Sequence, residues 1–217
     1  MVLRIPIEKQ SLQKMVRDIL RQAILEGEIK PGEKINIRKL TGDLMVSAIP
    51  IREALRELEA EGMISFHSNK RITANRLSKK ELNDIYAIRI PLEKIAVARS
   101  FDLADEGNLG HLEGLHRKMS KPHVIGKEWF NLNRAFHMKL HEMSGSPRLF
   151  QILQSLWNST GPYLRIYSDN REAVARGNQE HASILRALRK GDRTRAKKVL
   201  GNHLKNGMKV IEVSLED

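Results

Sequence analysis

Residues 36–62, NIRKLTGDLMVSAIPIREALRELEAEG, constrain the fold of this chain more than any other stretch. Ile37, Leu40 and Leu44 recur at offsets of three and four, which is one apolar face of a short helix. Asn36 stands at its N-cap position. Met45 and Val46 make a short connection to Ser47, a second candidate N-cap. Pro50 falls in the first turn of the next helix, where its missing N–H has no partner to lose. Ile51, Leu55 and Leu58 then form a buried stripe, Arg52 and Arg56 share the other side, and Gly62 ends the helix. Two helices about a tight turn, with arginines on the open face of the second, is the plan of a helix-turn-helix whose second helix enters the major groove. An ordinary αα-hairpin with solvated charges has the same spacing, and Glu53, Glu57, Glu59 and Glu61 dilute the positive charge.

Residues 63–74 favour the DNA-binding plan. MISFH (63–67) is a short apolar run, Ser68 and Asn69 can turn, and RITA (71–74) can return as a second strand. A hairpin directly after the second helix is a wing, with His67, Lys70 and Arg71 near its tip. KPGEKIN followed by LMVSAIPIREALRELEAEGMI resembles the winged-helix domain of the GntR family of bacterial repressors over residues 11–77. By that resemblance Arg38 and Arg52 match two operator-contacting arginines, and the contacts expected to double-stranded operator DNA also take in Ser47, Ile49, Pro50 and Arg56 of the helix pair and His67, Lys70 and Arg71 of the wing. Two departures stand out. Ala48 occupies the place of a usual family arginine, and Lys70 and Arg71 stand where the wing tip usually has glycine.

The whole chain has 217 residues, a formal net charge of +12 and 41% hydrophobic residues, enough for one large domain or two small ones. The excess charge favours polyanionic partners, yet it is spread evenly: residues 1–76 carry +4 and residues 77–217 carry +8. The motif, not bulk charge, therefore singles out the DNA-binding part. No apolar run is long enough for a membrane span, and MVLRIPIEKQ lacks the apolar core of a signal peptide. The absence of cysteine excludes disulfides and thiolate metal sites and fits a cytoplasmic protein.

Ser11–Glu26 has the pattern of an amphipathic helix with Leu12, Met15, Ile19 and Ala23, and the nearby Leu20 and Ile24, on its inner side. EGEIKPGEKI supplies a short strand and a Pro-Gly turn. NRLSKK (75–80) is a polar junction in which Ser78 and Glu81 form a capping box, and the domain boundary is placed there: 1–77 as a winged helix-turn-helix domain, 78–217 as an all-α domain. Six or so helices are expected after it. They run from Lys79 to about Ser100 with a kink at Pro91, from about Leu103 to Ser120, and from Lys127 to Met143. A fourth starts at Pro147 and is interrupted or bent at Gly161-Pro162, a fifth runs from about Arg171 to Lys190, and the last extends from Asp192 to about Val213. Their apolar stripes can only be buried together, so they predict one antiparallel bundle in a mostly α protein.

Seven of eight histidines lie beyond residue 100. Asn133 and His137 share a helix face, His181 lies on the stripe of Ile184, Leu185 and Leu188, and His203 lies between two inward rows. Each alone reads as a hydrogen-bonded core histidine; together they can meet in the bundle centre, as bundle metal sites do. NLNRAFHMKLHEMSGSPRL, EHASILRALRKGD and the final NHL resemble the FCD ligand-binding domain of the FadR-type branch of the family, over about residues 78–213. That resemblance implies a divalent metal, Zn or Ni, held by Asn133, His137, His181 and His203, with an amide where metal-containing members have an acid. His141, one turn beyond His137, is an alternative partner but is expected to be solvent-exposed, and His111, His116 and His123 have no role. By the same resemblance Arg89 binds the carboxylate of a small-molecule effector, beside Glu93; a surface ion pair is the plainer reading of these two. Pro91 precedes the acid, whereas the family's proline follows it.

Three functions fit these residues. One is a homodimeric transcriptional regulator controlled by a small metabolite. Another is a metal-free sensor of an apolar or acyl ligand. A metal-dependent enzyme is the third, against which stand the absence of HExxH, nucleophile-elbow and phosphate-loop motifs and the presence of the winged segment.

Overall fold

The computed structural model describes residues 12–215, in two compact units divided at Arg76–Leu77. The first unit holds α1 (Leu12–Leu25), α2 (Ile37–Leu44), α3 (Ala48–Ala60), β1 (Ile64–Phe66) and β2 (Ile72–Ala74). Ser11 and the start of the chain lie outside the described residues. In α1 the buried stripe is Val16, Leu20, Ile24 and Leu25, packed on Ile51, Ala54, Leu55 and Leu58 of α3. Leu12, Met15 and Ile19, expected on the inner side, are instead about half exposed (48–50%). The row of every fourth residue from Val16 meets the α3 ridge, and the expected row sits one residue, about 100°, around the helix.

Asn36 caps α2, its Oδ1 accepting from the N–H groups of Arg38 and Lys39 at 2.9 and 3.3 Å. Met45 ends that helix in the left-handed region, with φ 52°, and Ser47 then opens α3 in an extended conformation without a side-chain capping bond. Pro31 and Gly32 make the expected turn, Glu33 N–H donating to Lys30 across it. The strand expected after that turn is reduced to one bridge, Lys34 to Thr73, flanked by bonds from Gly32 and Ile35 to the carbonyls of Ala74 and Ile72.

The hairpin pairs antiparallel, Ile64 with Ala74, Ser65 with Thr73 and Phe66 with Ile72. Its tip closes through His67 N–H to Arg71 O and Lys70 N–H to His67 O, a three-residue loop that needs a left-handed residue at Lys70, φ 60°. A lysine there costs about 1–2 kcal/mol against glycine. The cost retains a cation at the wing tip.

The second unit is helical throughout its described residues: α4 (Lys79–Ser100), a single 3₁₀ turn (Phe101–Leu103), α5 (Glu106–Met119), α6 (Gly126–Glu142), α7 (Pro147–Tyr167), α8 (Arg171–Arg189) and α9 (Arg193–Ser214). The Ser78–Glu81 capping box is formed, and α4 continues through Pro91. α5 begins later than expected, because Asp105 caps it through Asn108 N–H at 2.7 Å. α7 is not interrupted at Gly161-Pro162. An interior proline costs ~3 kcal/mol of helix, but α7 is packed against α4, α6 and α9, which holds it helical. Trp129, Phe130, Phe136 and Trp157 fill the centre. No helix among the described residues is long and apolar enough to cross a membrane.

Candidate functional site

In the first unit, Arg38 at the start of α2, Arg52 on α3, and His67 and Lys70 of the wing line one open depression with Lys34 and Asn36. All four expected DNA contacts in that set are exposed. Ser47, Ile49 (68% exposed), Arg56 and Arg71 are also exposed, while Pro50 is half-buried. Three of the acidic residues that dilute the charge of α3 are turned elsewhere. Glu57 accepts from Arg17, and Glu61 from Arg21, both on α1. Glu59 accepts from the N–H of Phe66 at 3.0 Å. The bonds to α1 thus hold two carboxylates against cations of their own and leave Lys34, Arg38, Arg52 and Lys70 to set the field of the depression.

In the second unit, α6 directs His137 inward, α8 His181 and α9 His203, and all three are buried. Their Nε2 atoms converge, with His137 at 3.2 Å from His203 and 3.4 Å from His181. His203 is held from behind by Glu180, whose Oε2 lies 2.7 Å from Nδ1. That bond places the His203 proton on Nδ1 and leaves an Nε2 lone pair facing the other two rings. His137 Nδ1 lies 3.6 Å from the Glu93 carboxylate. Asn133, one turn before His137, is buried, and its Oδ1 has no hydrogen-bond partner in the structure. It lines, with Arg89, His137, His203 and Tyr86, a cavity of ≈ 20 Å³, room for about one water.

Arg89 and Glu93 are not a surface pair. Both are buried, Arg89 Nε donating to Glu93 Oε1 at 2.7 Å and its Nη1 to the Thr160 hydroxyl at 3.1 Å. His141, expected in solvent, is also buried, with Nε2 3.0 Å from Glu93 Oε2. α6 packs against α4, α5 and α7, so little of its surface reaches solvent. Glu93 therefore joins the arginine to two histidines, and Glu180 backs a third. Periodicity points to neither role; the adjacency of Glu180 to His181 is the one available signal, and the bond to His203 spans 23 residues.

Burial alone would push the Glu93 carboxyl up, but Arg89, His141 and His137 outweigh it and hold it well below the usual carboxylate range. Burial lowers His137 to about 4, against the opposing pull of Glu93. Burial, with His203 and His137 adding to it, also carries His181 well below its usual value. Both rings are thus neutral at physiological pH, the form that binds metal ions. Two lone pairs facing each other at 3.2 Å repel unless a proton or cation lies between them. Nε2 atoms bound to one tetrahedral ion, with metal–nitrogen bonds of about 2.0–2.1 Å, lie about 3.4 Å apart. The three imidazoles and the partnerless Asn133 oxygen fit a divalent metal.

A winged helix-turn-helix with a separate helical unit built around buried polar groups defines a DNA-binding transcriptional regulator with its own effector-binding domain. Residues 12–73 match the family described as bacterial regulatory proteins, gntR family, and residues 84–206 match the FCD domain. The chain is 33% identical over 205 residues to the HTH-type transcriptional regulator YdhC of Bacillus subtilis, covering 91% of this chain and 90% of that one. It is 29% identical over 183 residues to the HTH-type transcriptional regulator McbR of Escherichia coli, 83% of each chain. The solved structure of E. coli McbR/YncC matches with a TM-score of 0.86 at 25% identity, over 95% of this chain and 99% of that one. The chain belongs to the GntR family of bacterial regulators, in the group that carries an FCD domain. Its relatives are transcriptional regulators, and it is a regulator rather than an enzyme.

Proposed function

We propose that this protein is a homodimeric regulator whose operator affinity is set by a small carboxylate bound beside a divalent metal, Zn or Ni, in the second unit. The convergence of three histidine Nε2 atoms, with Asn133 lining a cavity beside His137 and His203 and its buried oxygen without a partner, carries this reading. Asn133, His137, His181 and His203 would hold the ion. When bound, the ion would supply positive charge, and a small anion would join it by adding to these four groups or by displacing the neutral Asn133 amide. Arg89, which lines the same cavity, adds a cation suited to a carboxylate. The cavity admits only about a water, so a larger ligand must displace the helices that line it. α4 is one of them and is the first element after the boundary at Arg76–Leu77, which gives ligand binding a route to the winged unit. Differential affinity for two helix arrangements is what such a switch requires. The small cavity favours this over the acyl-ligand reading. Likeness to GlaR of E. coli, a transcriptional repressor 26% identical over 206 residues, supports repression as its mode.

A second copy of the chain is the partner proposed for the outer face of α4. Ile85, Ile88, Leu92 and Ile95 recur there at alternating offsets of three and four, with Ile88 54% and Ile95 50% exposed. Ile152, 42% exposed, lies on α7, which packs beside α4. Asp84 and Ile88 on one side of residues 91–92 mirror Arg99 and Ile95 on the other. A two-fold axis there sets isoleucine against isoleucine and Asp84 near Arg99 of the second copy, a self-complementary surface. Ile88→Glu with Ile95→Glu should convert a dimer to a monomer in sedimentation at micromolar concentration. A dimer unchanged by both would remove this face from the interface.

The DNA reading is tested at Arg52. On duplexes selected by the protein from random DNA, Arg52→Ala should cost ~1–3 kcal/mol of binding, with much less lost on scrambled duplex. Equal losses on both would make Arg52 a phosphate contact without a role in sequence recognition.

A further inference from the structure

We infer that Glu180 is a positioning residue for the metal centre, which supplies from behind His203 the negative charge that Asn133 leaves out of the ligand set. The inference rests on the metal reading above. Three neutral imidazoles and one amide carry no charge, so a divalent ion among them keeps its full charge in a buried place. Two carboxylates stand behind the rings. Glu93 is already matched, since its Oε1 takes the buried Arg89 guanidinium at 2.7 Å. Glu180 is differently placed. Its Oε2 accepts from His203 Nδ1 at 2.7 Å and its Oε1 from the Asn206 amide at 2.6 Å, both on α9. Arg176, one turn earlier on α8, adds a positive charge that also favours the ionised carboxylate.

The spacing explains how one segment does both jobs. Adjacent helical positions point about 100° apart, so Glu180 and His181 on α8 reach different targets. His181 points to the shared centre, and Glu180 reaches across to α9. Asn206 and His203, three apart on α9, receive it from one face. With both oxygens engaged, the carboxylate has one orientation. It keeps His203 in the tautomer whose Nε2 lone pair faces His137 and strengthens that nitrogen as a metal ligand. His181 Nδ1 has no hydrogen-bond partner in the structure, so His203 is the ligand whose direction this contact controls.

The test is zinc affinity, read by competition with a chromogenic chelator on the full-length protein. Glu180→Gln keeps the size and removes the charge, and should weaken zinc binding about 10–100-fold. Asn133→Asp alone raises affinity by restoring a carboxylate to the ligand set, so the readout is the cost of Glu180→Gln in each background: it should be much smaller beside Asn133→Asp than in the wild type. A packing defect would cost the same in both. Unchanged affinity in Glu180→Gln overturns the inference, and so does a loss of the same size in both backgrounds. If Glu180→Gln does not fold, Glu180→Asp, which withdraws the same charge from Nδ1, must show a loss that shrinks beside Asn133→Asp instead. Wild-type protein that takes up no zinc through His181 overturns the metal reading itself, a result distinct from either of these.

Discussion

Glu93→Ala should destabilise the second unit by about 3–5 kcal/mol, the expected cost of leaving one member of a buried ion pair without its partner. Arg89 and Glu93 are 2% and 0% exposed, and among the described residues the guanidinium that remains has the Thr160 hydroxyl and the more distant Tyr86 hydroxyl to meet it. Burial works against the charged form of both residues, and each holds the other ionised. The loss should also free His137 and His141 from the carboxylate between them. Both tryptophans, Trp129 and Trp157, lie in the core of this unit, so urea unfolding followed by their fluorescence in the presence of chelator reports the change. Arg89→Met with Glu93→Leu removes both charges and should recover most of the stability. A loss under about 1 kcal/mol for Glu93→Ala, the ordinary worth of an exposed pair, would mean that the network contributes little to the fold.

His181→Ala should abolish stoichiometric metal binding. It removes one of three converging Nε2 atoms, a larger change than the 10–100-fold that altering a residue behind a ligand costs. Asn133→Asp should act in the other direction, since a carboxylate brings charge as well as an oxygen to a position that is buried and lines the cavity. Elemental content of protein purified without chelator and then loaded with zinc should be about one ion per chain in the wild type and none in His181→Ala. Zinc retained by His181→Ala would assign the metal to other side chains; none in the wild type would leave the three histidines as core residues.

Much of this arrangement is legible in the sequence because it is local. The helix pair at 36–62 announces itself by caps and periodicity, and α2, α3 and the wing form where those signals fall. His137 and His181 are inward by spacing alone, and both are buried. Contacts between distant segments are what periodicity does not carry. His141 reads as a surface residue because its helix has one strong apolar stripe, but α6 is enclosed on several sides. Arg89 and Glu93 read equally well as a solvated pair, since an offset of four is the same at a surface and in a core. Gly161-Pro162 reads as a break, but neighbouring helices support α7 through it. The exposed row of α1 fails for a related reason: two adjacent rows are apolar, and only the position of α3 selects Val16, Leu20 and Ile24.

Control of sequence-specific DNA binding by the histidine centre is read in the affinity of full-length protein for a duplex it has selected from random DNA, measured by fluorescence anisotropy with zinc and then with chelator. The wild type should shift by roughly 5–150-fold between the two conditions, the usual span of coupling between sites. His181→Ala should show one affinity in both. A wild-type affinity that zinc and chelator leave equal, or a shift that His181→Ala retains in full, would contradict the account.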